Sequence, residues 1–135
     1  MADKTFVDSN IWLYAFISDK SSKHNISADI INNKEIVLST QVVNEVCYNL
    51  YKKADYNNLD IKNLINNFYD IYTIYNINFS TLSIACNIRD KYNSSFWDSL
   101  IIASALENEC KLLLTEDISG AELFEKKLKV LNPFK

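Results

Sequence analysis

SFWDSLIIASALENECKLLLTED, from Ser95 to Asp117, packs three elements into little space. The apolar run from Trp97 to about Asn108 predicts a helix. Lys111 to Leu114 predicts a short buried strand, and Thr115-Glu116-Asp117 an acidic turn. Asp98 then stands at the start of the helix and Asp117 just past the end of the strand. In an open parallel sheet, strand ends and the helix starts that follow them share one edge, where ligands bind. Two carboxylates at that edge are either ordinary caps and turn residues or part of a metal site.

The rest of the chain repeats the same alternation. Lys4–Val7 reads as a strand ending at Asp8, and Asp8-Ser9-Asn10 offers N-caps for a helix from Ile11 to about Ile17. The polar stretch Asp19–Ser22 breaks it. A helix follows from Lys23 to about Asn32, then a strand over Glu35–Ser39. Ser39 or Thr40 caps a helix over about Gln41–Lys53, with Val42, Val43, Val46 and Leu50 as its stripe. After a break at Tyr56–Leu59, Asp60 is the expected cap of a helix to Asp70. Tyr72–Tyr75 is β-rich. Ser80 is the expected cap of a helix over about Thr81–Tyr92, with Leu82, Ala85, Cys86 and Arg89 in step. Leu128–Leu131 is a last strand, stopped by Asn132-Pro133. Strands alternating with helices imply parallel βαβ units, with helices on both faces of the sheet.

Length and composition agree. The 135 residues suit one domain, with no linker, repeat or low-complexity segment. One Gly and one Pro are too few for a disordered chain. A net charge of −3 argues against a broad basic surface for nucleic acid. It does not exclude a nuclease whose carboxylates bind a divalent cation. Cys47, Cys86 and Cys110 are an odd, widely spaced set, read as buried thiols in a reducing cytoplasm. No apolar run is long enough to span a membrane. The expected location is the cytoplasm.

Four acids bear on function, and each has an ordinary explanation alone. Asp8 is a plausible N-cap. Glu45, one turn into its helix, suits a solvated flank. Asp98 follows Ser95 at capping spacing and is favoured there by the helix dipole. Asp117 sits in a turn, and Glu116 beside it competes for any ligand role. Together they say more, because each falls at a strand end or in the first turns of the helix after a strand. All such places converge on one edge. Carboxylates gathered there repel, by several kcal/mol at about 4 Å, unless cations offset the charge. Oxygen ligands without clustered His or Cys suit Mg²⁺ or Mn²⁺. His24 is the sole histidine, which disfavours a serine triad or a histidine base. Acids plus a divalent metal suit phosphodiester hydrolysis.

At these residues the chain resembles the PIN-domain family, and within it the VapC-type toxins of bacterial toxin–antitoxin pairs. FVDSNIWLYAF is similar to the family's opening strand, acid and helix, and VVNEV to its second acidic motif. FWDSLIIASALENECKLLLTED is similar to the third and fourth, and LKVLNPF to the final strand. The resemblance implies a three-layer α/β/α fold with a parallel sheet in the order 3-2-1-4-5. It implies a Mg²⁺- or Mn²⁺-dependent endoribonuclease acting on RNA, a homodimer, and inhibition by a small cognate antitoxin. The acids carry over to Asp8, Glu45, Asp98 and Asp117. Ser9, Asn10 and Thr115 match the supporting polar positions.

Two other readings stay open at this point. A Mg-dependent phosphatase or phosphotransferase would use Asp8 as nucleophile with a lysine partner, although Asp8-Ser9-Asn10 lacks the second Asp such enzymes commonly show. A non-catalytic PIN-like binding module would use the acids only as caps. Trp12 and Trp97 read as core or rim packing residues. Lys52, Lys53, Arg89 and Lys91 are either RNA phosphate contacts or solvated helix ends.

Overall fold

Lys4–Val7 forms β1, and its neighbours set the architecture. In the computed structural model, which describes residues 3–17, 21–118 and 122–135, β1 pairs in parallel with β2 (Glu35–Ser39) on one side and β4 (Leu112–Leu114) on the other. Phe6 lies opposite Val37 and Leu113. A strand covered on both faces reads as a continuous apolar run, and Phe6 and Val7 are fully buried.

Around this centre the strand order is β3-β2-β1-β4-β6-β5, with β3 at Thr73–Tyr75, β5 at Leu123–Phe124 and β6 at Leu128–Leu131. The expected 3-2-1-4-5 order holds, with β6 as the fifth parallel strand. The addition is β5, which pairs antiparallel with β6 at the edge. Its turn places Glu125 and Lys126 at φ 54° and 58°. Such turns usually announce themselves with Gly or Asn, and neither residue is present here to reveal the hairpin.

The path through the sheet decides the layers. From β1 the chain steps outward to β2 through α1 (Ser9–Phe16) and α2 (Ser22–Asn33). It steps on to β3 through α3 (Thr40–Lys53) and α4 (Asn58–Ile71). It then returns to β4 through α5 (Phe79–Tyr92) and α6 (Phe96–Glu107). Right-handed crossovers put the outward helices on one face and the returning pair on the other. The packing agrees: α1 touches α2 and α3, α3 touches α4, and α5 lies along α6. Beneath α1 and α4, Trp12 meets Phe68 and Tyr72 edge-on, each at 5.1 Å between ring centroids. Its indole N–H donates to the Val7 carbonyl. Trp12 is the core residue expected of it.

Several boundaries shift. Helix α1 starts at Ser9 rather than Ile11. Asn57 caps α4 and Asn78 caps α5. Asp60 is the third residue of α4 and accepts from the Asn57 N–H, the return half of a capping box. Ser80 lies inside α5, one of two N–H groups that Asn78 holds. On α5 the buried face is Thr81, Ala85 and Ile88, whereas Leu82 and Cys86 are exposed. The face is turned by about one residue from the expected stripe, so Cys86 is no buried thiol. Cys47 and Cys110 are, and burial pushes the Cys110 thiol up to about 12. Of the break expected at Asp19–Ser22, Asp19 and Lys20 lie outside the described residues, while Ser21 caps α2 and Ser22 is its first residue. Among the described residues no helix is long and apolar enough to cross a membrane.

Candidate active site

Where β1 ends, Asp8 caps α1, its Oδ1 accepting the Ser9 N–H at 2.7 Å. The neighbouring β4 ends at the same edge, since the Asp8 N–H donates to the Leu114 carbonyl. That brings Thr115 against Asp8. The Thr115 hydroxyl donates to Asp8 Oδ2 at 2.7 Å and accepts from Asn10 Nδ2 and the Asp117 N–H. Its one donor and two acceptor positions are all used. Asp8 is therefore both a cap and the buried centre of a polar network joining residues 107 apart in the chain.

The other acids approach from the flanks. Glu45, half-buried on α3, accepts from the Ser9 hydroxyl at 2.9 Å and from Gln41 Nε2 at 3.1 Å. Gln41 also donates to the Trp97 carbonyl at 3.4 Å, which ties α3 to the start of α6. Asp98 stands in the first turn of α6, and its N–H is capped by Ser95. Asp117 is exposed and accepts from Asn10 Nδ2 at 3.1 Å. Glu116 faces elsewhere: Tyr14 donates to one oxygen at 2.8 Å and Lys23 to the other at 2.7 Å. That ion pair, with Lys23 foremost, holds Glu116 below the usual range for a glutamate. Tyr14, Lys23 and Gln41 went unnoticed in the sequence. Gln41, four residues before Glu45 on a helix, carried a readable signal.

The expectation of carboxylates pressed against one another is corrected by this arrangement. Ser9, Asn10 and Thr115 stand between them as donors. Among the described residues no three of Asp, Glu, His or Cys are placed closely enough to hold a metal ion. The charges are nevertheless coupled. Burial pushes Asp8 up from an ordinary 3.8 to about 6, and the Glu45 and Asp98 charges add to the rise against the Thr115 and Ser9 hydrogen bonds. Neither ion pair found among the described residues involves Asp8. The Gln41 amide oxygen is buried without a partner. The edge thus offers oxygen donors, surplus negative charge and a buried carboxylate lacking a cation, which suits Mg²⁺ or Mn²⁺ in charge and donor type.

A pH dependence follows. The folded chain binds the Asp8 proton more tightly than the unfolded chain, so this contribution to stability is full below about 3.8 and is lost as pH rises through about 6. Urea unfolding at pH 5 should give a stability about 1 kcal/mol above that at pH 7 in metal-free buffer. Asp8→Asn should flatten that difference, and an unchanged slope in the variant would remove Asp8 as its source.

The sequence matches the PIN domain family over residues 5–123. No curated protein sequence matches it. Among solved structures, the fold is similar to a toxin–antitoxin complex from Klebsiella pneumoniae, at TM-score 0.73 and 16% identity over 96% of this chain and 97% of that one. It is similar to FitAcB from Neisseria gonorrhoeae, at TM-score 0.71 and 16% identity over 96% and 98%. It is also similar to VapC20 of Mycobacterium tuberculosis, described as a sarcin-ricin loop cleaving toxin, at TM-score 0.67 and 13% identity over 81% and 86%. Identities this low speak for the fold alone. The family match extends over most of the chain and takes in Asp8, Glu45, Asp98 and Asp117, and on it the chain belongs to the PIN domain family.

Proposed function

We propose that this PIN domain, a single unit over residues 1–135, is a divalent-metal-dependent endoribonuclease and the toxin of a toxin–antitoxin pair. The observation that carries the reading is Asp8: a buried carboxylate with its pKa raised to about 6, without a cationic partner among the described residues, at an edge shared with Glu45, Asp98 and Asp117. Those four acids would hold Mg²⁺ or Mn²⁺. The bound cation would supply the charge that makes water a competent nucleophile and stabilises the departing oxygen. The chain's own residues do the rest. Thr115 and the Ser9 N–H orient Asp8, the Ser9 hydroxyl and Gln41 orient Glu45, and Asn10 orients Asp117. Glu116, occupied by Lys23 and Tyr14, is left out of the set. The toxin assignment is supported by structural neighbours described as toxin–antitoxin complexes. A cytoplasmic homodimer, silenced by a small antitoxin, belongs to the same reading.

Incubation with RNA tests it. Purified protein should cleave single-stranded or loop RNA with Mg²⁺ or Mn²⁺, leave 5′-phosphate and 3′-hydroxyl ends, and fall silent in EDTA. Products ending in 2′,3′-cyclic phosphate would overturn the mechanism, because they require attack by the ribose hydroxyl. No cleavage of any RNA would favour a binding module.

A further inference from the structure

The start of α6 carries an aromatic pair that the acid set does not use. Phe96 and Trp97 are 59% and 65% exposed, although two large aromatic rings would ordinarily be buried. Their rings meet edge-to-face at 5.7 Å. Arg89 covers Phe96, its guanidinium carbon 4.1 Å from the ring centroid. The guanidinium donates to the Ser99 hydroxyl and to Cys86 Sγ. Among the described residues no carboxylate pairs with it. Trp97 directly precedes Asp98, and its carbonyl is bound by the Gln41 amide that also holds Glu45.

We propose that Trp97 is a stacking platform for an unpaired nucleobase, positioning single-stranded RNA across the acidic edge, with Arg89, stacked on the neighbouring Phe96, to meet a phosphate. This rests on the ribonuclease reading above. An indole face accepts any base without hydrogen-bond readout, and single-stranded RNA is characteristically held by such stacking beside cations. Phe96 meets the indole edge-to-face, and Arg89 in turn covers Phe96. The flanking Asn93, Ser95 and Asp90 are exposed and polar, whereas Phe79, Leu82 and Cys86 form an exposed stripe along α5 that leads to Arg89. In a protein with a net charge of −3, an arginine bound to Ser99, the residue after Asp98, and without a carboxylate partner among the described residues is suited to drawing the RNA backbone in.

The test compares wild type, Trp97→Ala and Trp97→Phe. Cleavage is measured with Mn²⁺, binding of a single-stranded RNA 12-mer is titrated in EDTA, and sedimentation gives the oligomeric state. Trp97→Ala should weaken binding about 5- to 150-fold, the equivalent of about 1–3 kcal/mol, with the cleavage loss falling mainly on KM. Trp97→Phe should recover most of it. Wild-type cleavage with unaltered binding by Trp97→Ala would overturn the platform and leave the ribonuclease standing. A wild type that neither binds nor cleaves RNA would overturn both. A loss of self-association in Trp97→Ala would assign the aromatic pair to contact between copies and overturn the platform.

Discussion

Asp98→Asn should lower kcat/KM for RNA by at least about 100-fold while the far-UV circular dichroism stays that of wild type. Substituting residues that merely orient a ligand typically costs 10- to 100-fold, and Asp98 is proposed to act directly. The substitution is mild for the fold. Ser95 caps the Asp98 N–H, a bond that does not involve the side chain, and asparagine fits the same volume in the first turn of α6. Its counterpart is Glu116→Gln, which should stay within about threefold of wild type. Both oxygens of the Glu116 carboxylate are taken by Lys23 and Tyr14. A large loss in Glu116→Gln together with none in Asp98→Asn would place the acid set elsewhere. The magnitudes differ because one carboxylate faces the shared charge of Asp8 and the other already has its own cation.

Metal should stabilise the fold through the same residues. A cation that binds the native edge and not the unfolded chain contributes about 2.7 kcal/mol at a hundredfold excess over its Kd. Thermal melts of wild type in EDTA and in rising Mn²⁺ should therefore separate by several degrees for a domain of this size. Asp98→Asn should respond much less. In EDTA the variant should match or exceed wild type by about 0–2 kcal/mol, because it removes one of the charges that oppose ionisation of Asp8. Were the acids only caps, Mn²⁺ would shift neither melting curve. Equal shifts in the two proteins would take Asp98 out of the metal site.

The sheet was legible because its strands are bounded by sharp changes of composition. Phe6-Val7 gives way to Asp8, Leu38 to Ser39, and Leu114 to Thr115. Asp8 and Asp117 stand at or just past two of those changes and Glu45 in the second turn of the helix after a third, so the alternation located them. Asp98 was expected in the helix after a strand, but α6 follows α5 directly, and its place beside the others comes from packing. What was missed has local causes. Strand β5 hides behind a turn built from Glu125 and Lys126 without glycine. Asn57 and Asn78 cap as well as aspartate or serine do, so Asp60 and Ser80, read as the caps of α4 and α5, lie inside those helices. Trp97 was read as packing because an aromatic beside an apolar run is usually buried. Its exposure depends on how α5 and α6 meet, which no local pattern encodes. The donors between the acids are equally non-local: Ser9 reaches Glu45 across 36 residues and Asn10 reaches Asp117 across 107.

The Thr115 hydroxyl has a bearing on when a newly made copy can act. It joins the end of the first strand to the end of the fourth, and β1 lacks one of its two neighbours until Leu112–Leu114 has been made. At about 5–20 residues per second, a ribosome needs on the order of 5–20 s to travel from Asp8 to Asp117. Asp8, Glu45 and Asp98 are made in turn during that interval, but the hydroxyl that orients Asp8 and the fourth acid come only at its end. On the ribonuclease reading, a polypeptide abandoned before Thr115 would therefore lack part of its acid set, and competence would wait until β4 and the turn after it have been made.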